Sequence, residues 1–288
     1  MKNAAYICLM IIFFSCKKEK NELVPLAVFD VGTACRINDL EPLSSGRWIA
    51  CSGVRNEKGF VSVSEDEGKT WNAFQLDQPS SAYTIDFVDS LYGFCGGDFL
   101  HLWRTFDGGK TWGYYWLGNQ VPMNEEDRPG VRDFRMWNDS TWYFCGGENL
   151  GEGIVYETKD AGVHWYYQFS QHEYRAIFKD ENNLIAAGHG SILYSHHDLD
   201  GLQSSSFSDD FITDICMTPN SSWLACSYQG AFYESEDGLH WNQKMKANRP
   251  LSGSLNWSCM TSSGEKIYAA GADGAFGESQ DGGFHPDG

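Results

Sequence analysis

The chain of 288 residues is poor in three things: basic residues, proline and long apolar runs. It holds 21 Lys and Arg against 39 Asp and Glu, a formal charge of −18. So acidic a surface excludes a general nucleic-acid binder, because neutralising phosphates needs a basic face. It also disfavours adhesion to anionic lipid head groups. Only 8 prolines punctuate the chain, so its turns must be made mostly by the 31 glycines. The one long apolar run, residues 4–14, is too short to span a bilayer. No two cysteines stand in CxxC spacing, and neither a metal nor a cofactor is expected. What the chain does have is aromatic: 11 Trp, 14 Tyr and 18 Phe, set in short runs without helical stretches. That composition supplies a core and points to strands and turns.

The first 16 residues, MKNAAYICLMIIFFSC, place Lys2 before an apolar run of signal-peptide length and end on Ser15-Cys16, where the polar KKEKNE begins. A small residue before a cysteine at this point resembles a bacterial lipoprotein signal. The resemblance implies cleavage before Cys16, acylation of Cys16, a solvated tether over 17–23 and a domain over 24–288. The domain would then sit outside the cytoplasm, on the periplasmic face or the cell surface. It would touch the membrane through its acyl chains alone, each buried CH₂ contributing about 0.8 kcal/mol. An ordinary secretory signal with an incidental Cys16 is the other reading.

An internal repeat organises the rest. SEDEGKTW, TFDGGKTW and TKDAGVHW end on Trp71, Trp112 and Trp165, and the one-shorter SEDGLHW ends on Trp241. The tryptophans are 41, 53 and 76 residues apart, and a worn copy fills the double gap at Ser195-His196-His197-Asp198-Leu199-Asp200-Gly201. A sixth copy, SQDGGFHP, carries Asp281 and has Pro286 where the indole would be. Before each copy comes a short run ending in small residues, such as RWIACSG or TWYFCGG. Before that lies a third, seen in YTIDFVD, VRDFRMW, YRAIFKD and FITDICM. Four short strands in about forty residues make one antiparallel propeller blade. The carboxylates of Asp66, Asp107, Asp160, Asp237 and Asp281 are placed to accept N–H groups of their own tight turns, with a glycine supplying positive φ and the indole folding back over the blade.

These copies resemble the Asp-box (BNR) repeats of sialidases and related propellers. The second unit, IDFVDSLYGFCGGDFLHLWRTFDGGKTW, resembles the repeat of photosystem II stability and assembly factor-like propellers. Ile85, Asp86, Phe87, Gly93, Gly96, Gly97, Asp107 and Trp112 match best, and the resemblance covers residues 30–288. It implies an all-β propeller and leaves the ligand open, because such folds host unrelated functions. Six Asp-Gly turns give six visible blades of four strands. LVPLAVFD at 23–30 is placed to complete the last blade and close the ring, which would remove an exposed edge. A seven-bladed ring truncated at its C-terminus is the alternative.

Cys51, Cys95, Cys145 and Cys226 read as one repeat position, held by Ala187 and Ala270 in other copies, which marks a small packing site. Only Cys35 with Cys51 and Cys216 with Cys226 fall on neighbouring strands where a disulfide could form.

Inner strands line a propeller's axis. Arg132 and Arg175 take equivalent places there, and Arg36 reads as part of the first inner strand. Three guanidinium groups near one channel would suit a carboxylate or an acidic peptide. Alternatively each pairs with an aspartate such as Asp86, Asp133 or Asp214. A sialidase-like site would place Arg-Ile-Pro where this chain has Arg36-Ile37-Asn38, and no Tyr–Glu pair is marked, although Glu173 and Tyr174 are adjacent. His196 and His197 with Asp198 and Asp200 read as a worn turn rather than a metal site. The expected function is a monomeric, non-catalytic protein-binding or assembly scaffold of the cell envelope. The alternative is a sialidase-like or glucan-active glycoside hydrolase.

Overall fold

The computed structural model describes residues 31–117, 120, 123, 128–148, 150–246, 256–263, 265–271 and 276–279. Cys16, the tether, the 23–30 segment and the sixth turn with Asp281 lie outside them. Among the described residues the regular structure is β-strand, apart from one short 3₁₀ turn at Asp98–Leu100, and no helix is long and apolar enough to cross a membrane.

The strands form the blades of a β-propeller. The first blade is β1 (Ile37–Pro42), β2 (Trp48–Val54), β3 (Lys58–Ser64) and β4 (Asn72–Gln75), hydrogen-bonded in that order. The second is β5 (Ala82–Phe87), β6 (Gly93–Gly97), β7 (Leu102–Thr105) and β8 (Gly113–Tyr115). The third is β9 (Gly130–Met136), β10 (Trp142–Glu148), β11 (Gly151–Thr158) and β12 (Tyr166–Ser170). In the fourth blade, β13 (Tyr174–Lys179) pairs with the first half of β14 (Asn183–His196). β14 doubles back at Gly190, bringing the His197 N–H to the Asn182 carbonyl at 3.0 Å. Its second half pairs with the start of β15 (Gln203–Met217). The end of β15 is the inner strand of the fifth blade, continued by β16 (Trp223–Ser227), β17 (Ala231–Ser235) and β18 (Asn242–Lys246). β19 (Trp257–Ser263), β20 (Lys266–Gly271) and β21 (Phe276–Ser279) are the described strands of the sixth.

Consecutive inner strands β1, β5, β9, β13, β15 and β19 pack side by side. The apolar core is divided accordingly, with one cluster at each described seam. Ile49, Cys51, Ile85 and Trp103 fill the seam between blades one and two. Phe94, Phe134, Trp142 and Phe144 fill the next, with Phe94 and Phe134 stacked at 5.4 Å.

The Asp-Gly turns repeat one hydrogen-bond set. Asp107 Oδ1 accepts the Thr111 N–H at 2.9 Å and the Thr105 hydroxyl at 2.8 Å, while Oδ2 accepts the Thr111 hydroxyl at 2.6 Å. Asp66 does the same with Thr70 and Ser64, and His164 and His240 replace the threonine beside Asp160 and Asp237. Gly68 and Gly109 stand at φ +86° and +83°, a conformation side chains resist. The indole N–H groups of Trp71, Trp112 and Trp241 donate to the carbonyls of Gly68, Gly109 and Gly238 at 2.8–3.0 Å. These three indoles are only partly buried and Trp165 alone is fully so, so most contribute less than a complete burial would. Rather than covering their own blade alone, they wedge into the seam with the preceding one: Trp112 packs on the cluster of blades one and two, Trp165 on that of two and three, Trp241 on that of four and five.

The strand register corrects one expectation. Cys51, Cys145 and Cys226 stand opposite Asp39, Asp133 and Asp214, but Cys95 is one residue out of phase, opposite Ile85. The place equivalent to Cys145 is taken by Gly96, where a Cβ would lie 2.6 Å from Val131 of the next blade. The crowding of that seam displaces the cysteine. The described cysteines are free thiols, and Cys216 pairs with Leu224 rather than Cys226.

Asp107→Ala should lower stability by about 1–2 kcal/mol through its three lost hydrogen bonds, and Trp112→Ala by roughly 2 kcal/mol. Both should leave the opposite face of the ring unaltered. Thermal unfolding with far-UV dichroism measures this, and melting like the parent would refute the role given to these turns.

Candidate functional site

The inner strands carry chemistry at two depths along the axis. At the face opposite the Asp-Gly turns, each described inner strand has an irregular register one residue before the position held by Asp39, Asp133 or Asp214. Arg132 and Arg175 occupy that bulge in β9 and β13, and Tyr83 occupies it in β5. A bulge turns its extra side chain out of the ladder, which aims these groups at the mouth of the axis. Arg36 is not among them: β1 begins at Ile37, and Arg36 precedes it, exposed.

Glu173 organises the mouth. Its side chain is 2% exposed, and Oε1 lies 2.8 Å from Arg175 Nε and 3.3 Å from Arg132 Nε, while Oε2 accepts the Leu150 N–H at 3.0 Å. Glu148, the last residue of β10, lies 4.0 Å from Arg132 and pairs with Arg55 from the turn after β2. Arg132 lies 4.5 Å over the Tyr83 ring and Arg175 4.9 Å over Phe211. The Tyr83 hydroxyl donates to Asp98 at 2.6 Å, and burial together with that carboxylate pushes the phenol up. Arg132 is 10% exposed, Arg175 39% and Arg55 55%, so the outer two guanidiniums face solvent. Burial and the like charge of Arg132 push Arg175 down, a penalty an added anion would relieve.

The second depth is acidic. Asp39 accepts its own Leu40 N–H at 2.8 Å and, across the seam, the Ile85 N–H at 3.0 Å. Asp133 joins Phe134 to Ile177, both at 2.8 Å, and Asp214 joins Ile215 to Met260 at 2.8 and 2.7 Å. Asp86 accepts the Met136 N–H of the third blade. Arg135 stands among them, 3.7 Å from Asp133 and 3.9 Å from Asp86, and donates to the Ile177 carbonyl at 3.2 Å. Arg135, rather than Arg36, Arg132 or Arg175, therefore pairs with the axial aspartates. Asp133 above all holds its charge in place. One cation cannot satisfy so many carboxylates. Burial pushes Asp86 and Asp214 up to about 7, and burial with the charges of Asp86 and Asp39 does the same to Glu41.

Glu173 and Tyr174 serve different neighbours. Glu173 is held by the arginines, whereas the Tyr174 hydroxyl shares a 2.8 Å hydrogen bond with Ser170. Among the described residues no cluster of His, Cys, Asp and Glu has the geometry of a metal site.

No protein-family model and no curated protein sequence matches the chain. Solved structures resemble it in fold. A structure described as YCF48 bound to D1 peptide superposes with a TM-score of 0.66 at 17% identity, covering 88% of this chain and 82% of that one. YCF48 from Cyanidioschyzon merolae gives 0.62 at 15% identity, over 87% and 84%. A GH74 xyloglucanase from Xanthomonas campestris gives 0.62 at 13%, covering 85% of this chain and 45% of the enzyme. Identities this low establish the β-propeller and nothing finer.

The axial carboxylates give stability a pH dependence. The folded pKa values of Asp86 and Asp214 exceed those of the unfolded chain, so protonation of these two favours the fold. Their contribution is full below about pH 4 and is lost as pH rises through about 7. Asp66 is shifted the other way, to about 2, mainly by the Thr70 N–H, so its contribution disappears only in stronger acid. The melting temperature should therefore be several degrees higher at pH 5 than at pH 8. Asp86→Asn should flatten that slope, and an unchanged slope would contradict the assignment.

Proposed function

We propose that this chain is a non-catalytic binding module that captures the carboxylate of an acidic or C-terminal peptide at the mouth formed by Arg55, Arg132 and Arg175. The observation that carries the reading is the exposure of Arg55 and Arg175 beside the buried Arg132–Glu173 pair. Three guanidiniums stand against Glu148, Glu173 and the Tyr83-bonded Asp98, so an incoming carboxylate is received by hydrogen bonds from the exposed Arg55 and Arg175 rather than by a net positive charge. A guanidinium already braced by a glutamate and an aromatic face needs little reordering to receive a second carboxylate. A peptide-bound propeller of similar fold supports the choice of ligand class.

The Asp-box reading of the turns and the photosystem II assembly factor-like repeat fit a scaffold of this kind. The module would be tethered by acyl chains on Cys16, with residues 17–23 as spacer, facing out of the cytoplasm, where an envelope protein would be its partner. A glycoside hydrolase would need two carboxylates free to face one bond. Glu148 and Glu173 are instead engaged by arginines, which favours binding over hydrolysis.

Arg55→Ala should weaken capture of a fluorescent acidic peptide about tenfold with little change in melting temperature, and Arg175→Ala as much but with a lowered melting temperature, because it removes the 2.8 Å hydrogen bond to buried Glu173. Arg132→Ala should also destabilise the fold by roughly 3 kcal/mol, because it strips a partner from the buried Glu173. Anisotropy titration against the same peptide with an amidated C-terminus and neutral side chains separates the cases. Equal affinity for both peptides would overturn the reading.

A further inference from the structure

The worn fourth copy of the repeat leaves a gap in the ring of indoles. Strand register fixes which residue stands where the tryptophan should be. Asn72, Gly113, Tyr166 and Asn242 pair with Val63, Arg104, Glu157 and Glu234, and each follows a tryptophan directly. In the fourth blade Gln203 pairs with Tyr194 in the same way, so Leu202 holds the tryptophan's place. Leu202 and Leu199 pack only partly on the seam between blades three and four.

That seam opens outward into a solvent-facing groove of about 670 Å³ between the two blades. One part of its wall is apolar, with Leu193, Leu199, Leu202 and Phe169. The rest is mostly hydroxyl, amide and imidazole, among them Gln168, Ser170, Gln171, His172, Tyr174 and Ser204, with Asp200. No Lys or Arg lines it, so an anion finds no counter-charge there. The volume is within the range of about 300–1,000 Å³ usual for small-ligand sites.

We infer that this seam is a second binding site, for a neutral oligosaccharide. The uncharged hydroxyl and amide groups both donate and accept hydrogen bonds, as a row of sugar hydroxyls requires. The leucine wall offers an apolar surface to the C–H faces of the rings. The site opens where a tryptophan has been lost, and it uses none of Arg55, Arg132 and Arg175, so it stands or falls separately from the peptide mouth.

Isothermal titration with cellohexaose, xylohexaose, maltohexaose and chitohexaose tests it. At least one should bind in the micromolar to millimolar range. Leu202→Trp, which restores the indole, should abolish that binding or weaken it at least tenfold while the melting temperature holds or rises. Gln168→Ala with Ser204→Val, at the polar wall, should weaken it independently if the tryptophan variant folds poorly. Arg175→Ala should bind sugar as the parent does. Absence of binding to all four sugars would overturn the site, as would parental affinity in both the Leu202→Trp and the Gln168→Ala/Ser204→Val proteins.

Discussion

The fold depends on a carboxylate that belongs to two blades at once. Asp39, Asp133 and Asp214 each accept one N–H from their own inner strand and one from the inner strand of the next blade. Apart from blades four and five, which β15 joins into one sheet, the described blades share no ladder hydrogen bonds, so apolar packing joins them without fixing their relative height. A two-pronged acceptor fixes it. The three aspartates stand on alternate blades, and their counterparts on the others are Thr84, Ala176 and Cys259, which leave the incoming carboxylate room. These polar contacts stand close round one axis, where desolvation makes their charge expensive and Arg135 offsets only part of it. The acidity of the axis follows from the way the ring is joined.

The same construction separates the functions of the two faces. The Asp-Gly turns lie on one face, where their carboxylates are engaged by neighbouring N–H and hydroxyl groups and their indoles wedge the seams. The opposite face carries the bulges at Tyr83, Arg132 and Arg175, whose side chains are not needed for the ladders. A ring held together on one face and along its axis leaves the other free to vary. The seam between blades three and four departs from this pattern because one of its wedges has become a leucine.

Much of the fold was legible in the sequence because the repeat marks itself. A tryptophan after an Asp-Gly turn is rare enough in combination that the recurring copies set the order of the described blades, and Ser195 to Gly201 was recognisable by position even when worn. Register was less legible. The strings FCGG of the second and third blades look alike, yet the Val131 side chain forces Gly96 into the place Cys145 holds next door, which no single string reveals. The mouth was half visible: Arg132 and Arg175 stand out by equivalence, but Arg55 comes from a turn, Glu148 from the end of a strand and Glu173 from just before one, where sequence carries no periodic signal. Arg36 seemed equivalent because a strand start cannot be placed to the residue. The latch left a faint trace, Asp39, Asp133 and Asp214 each following a polar residue in an inner strand, but alternation between blades becomes evident only once the blades are paired.

Residue-resolved amide hydrogen exchange tests the carboxylate latch most directly. The N–H groups of Ile85, Ile177 and Met260 sit at the edges of inner strands, where an unpaired amide would exchange rapidly. If the aspartates join the blades, all three exchange only through global unfolding and lose protection together. Exchange of these amides at the rate of an unstructured peptide, with the rest of the inner strands protected, would show that the blades are held by packing alone.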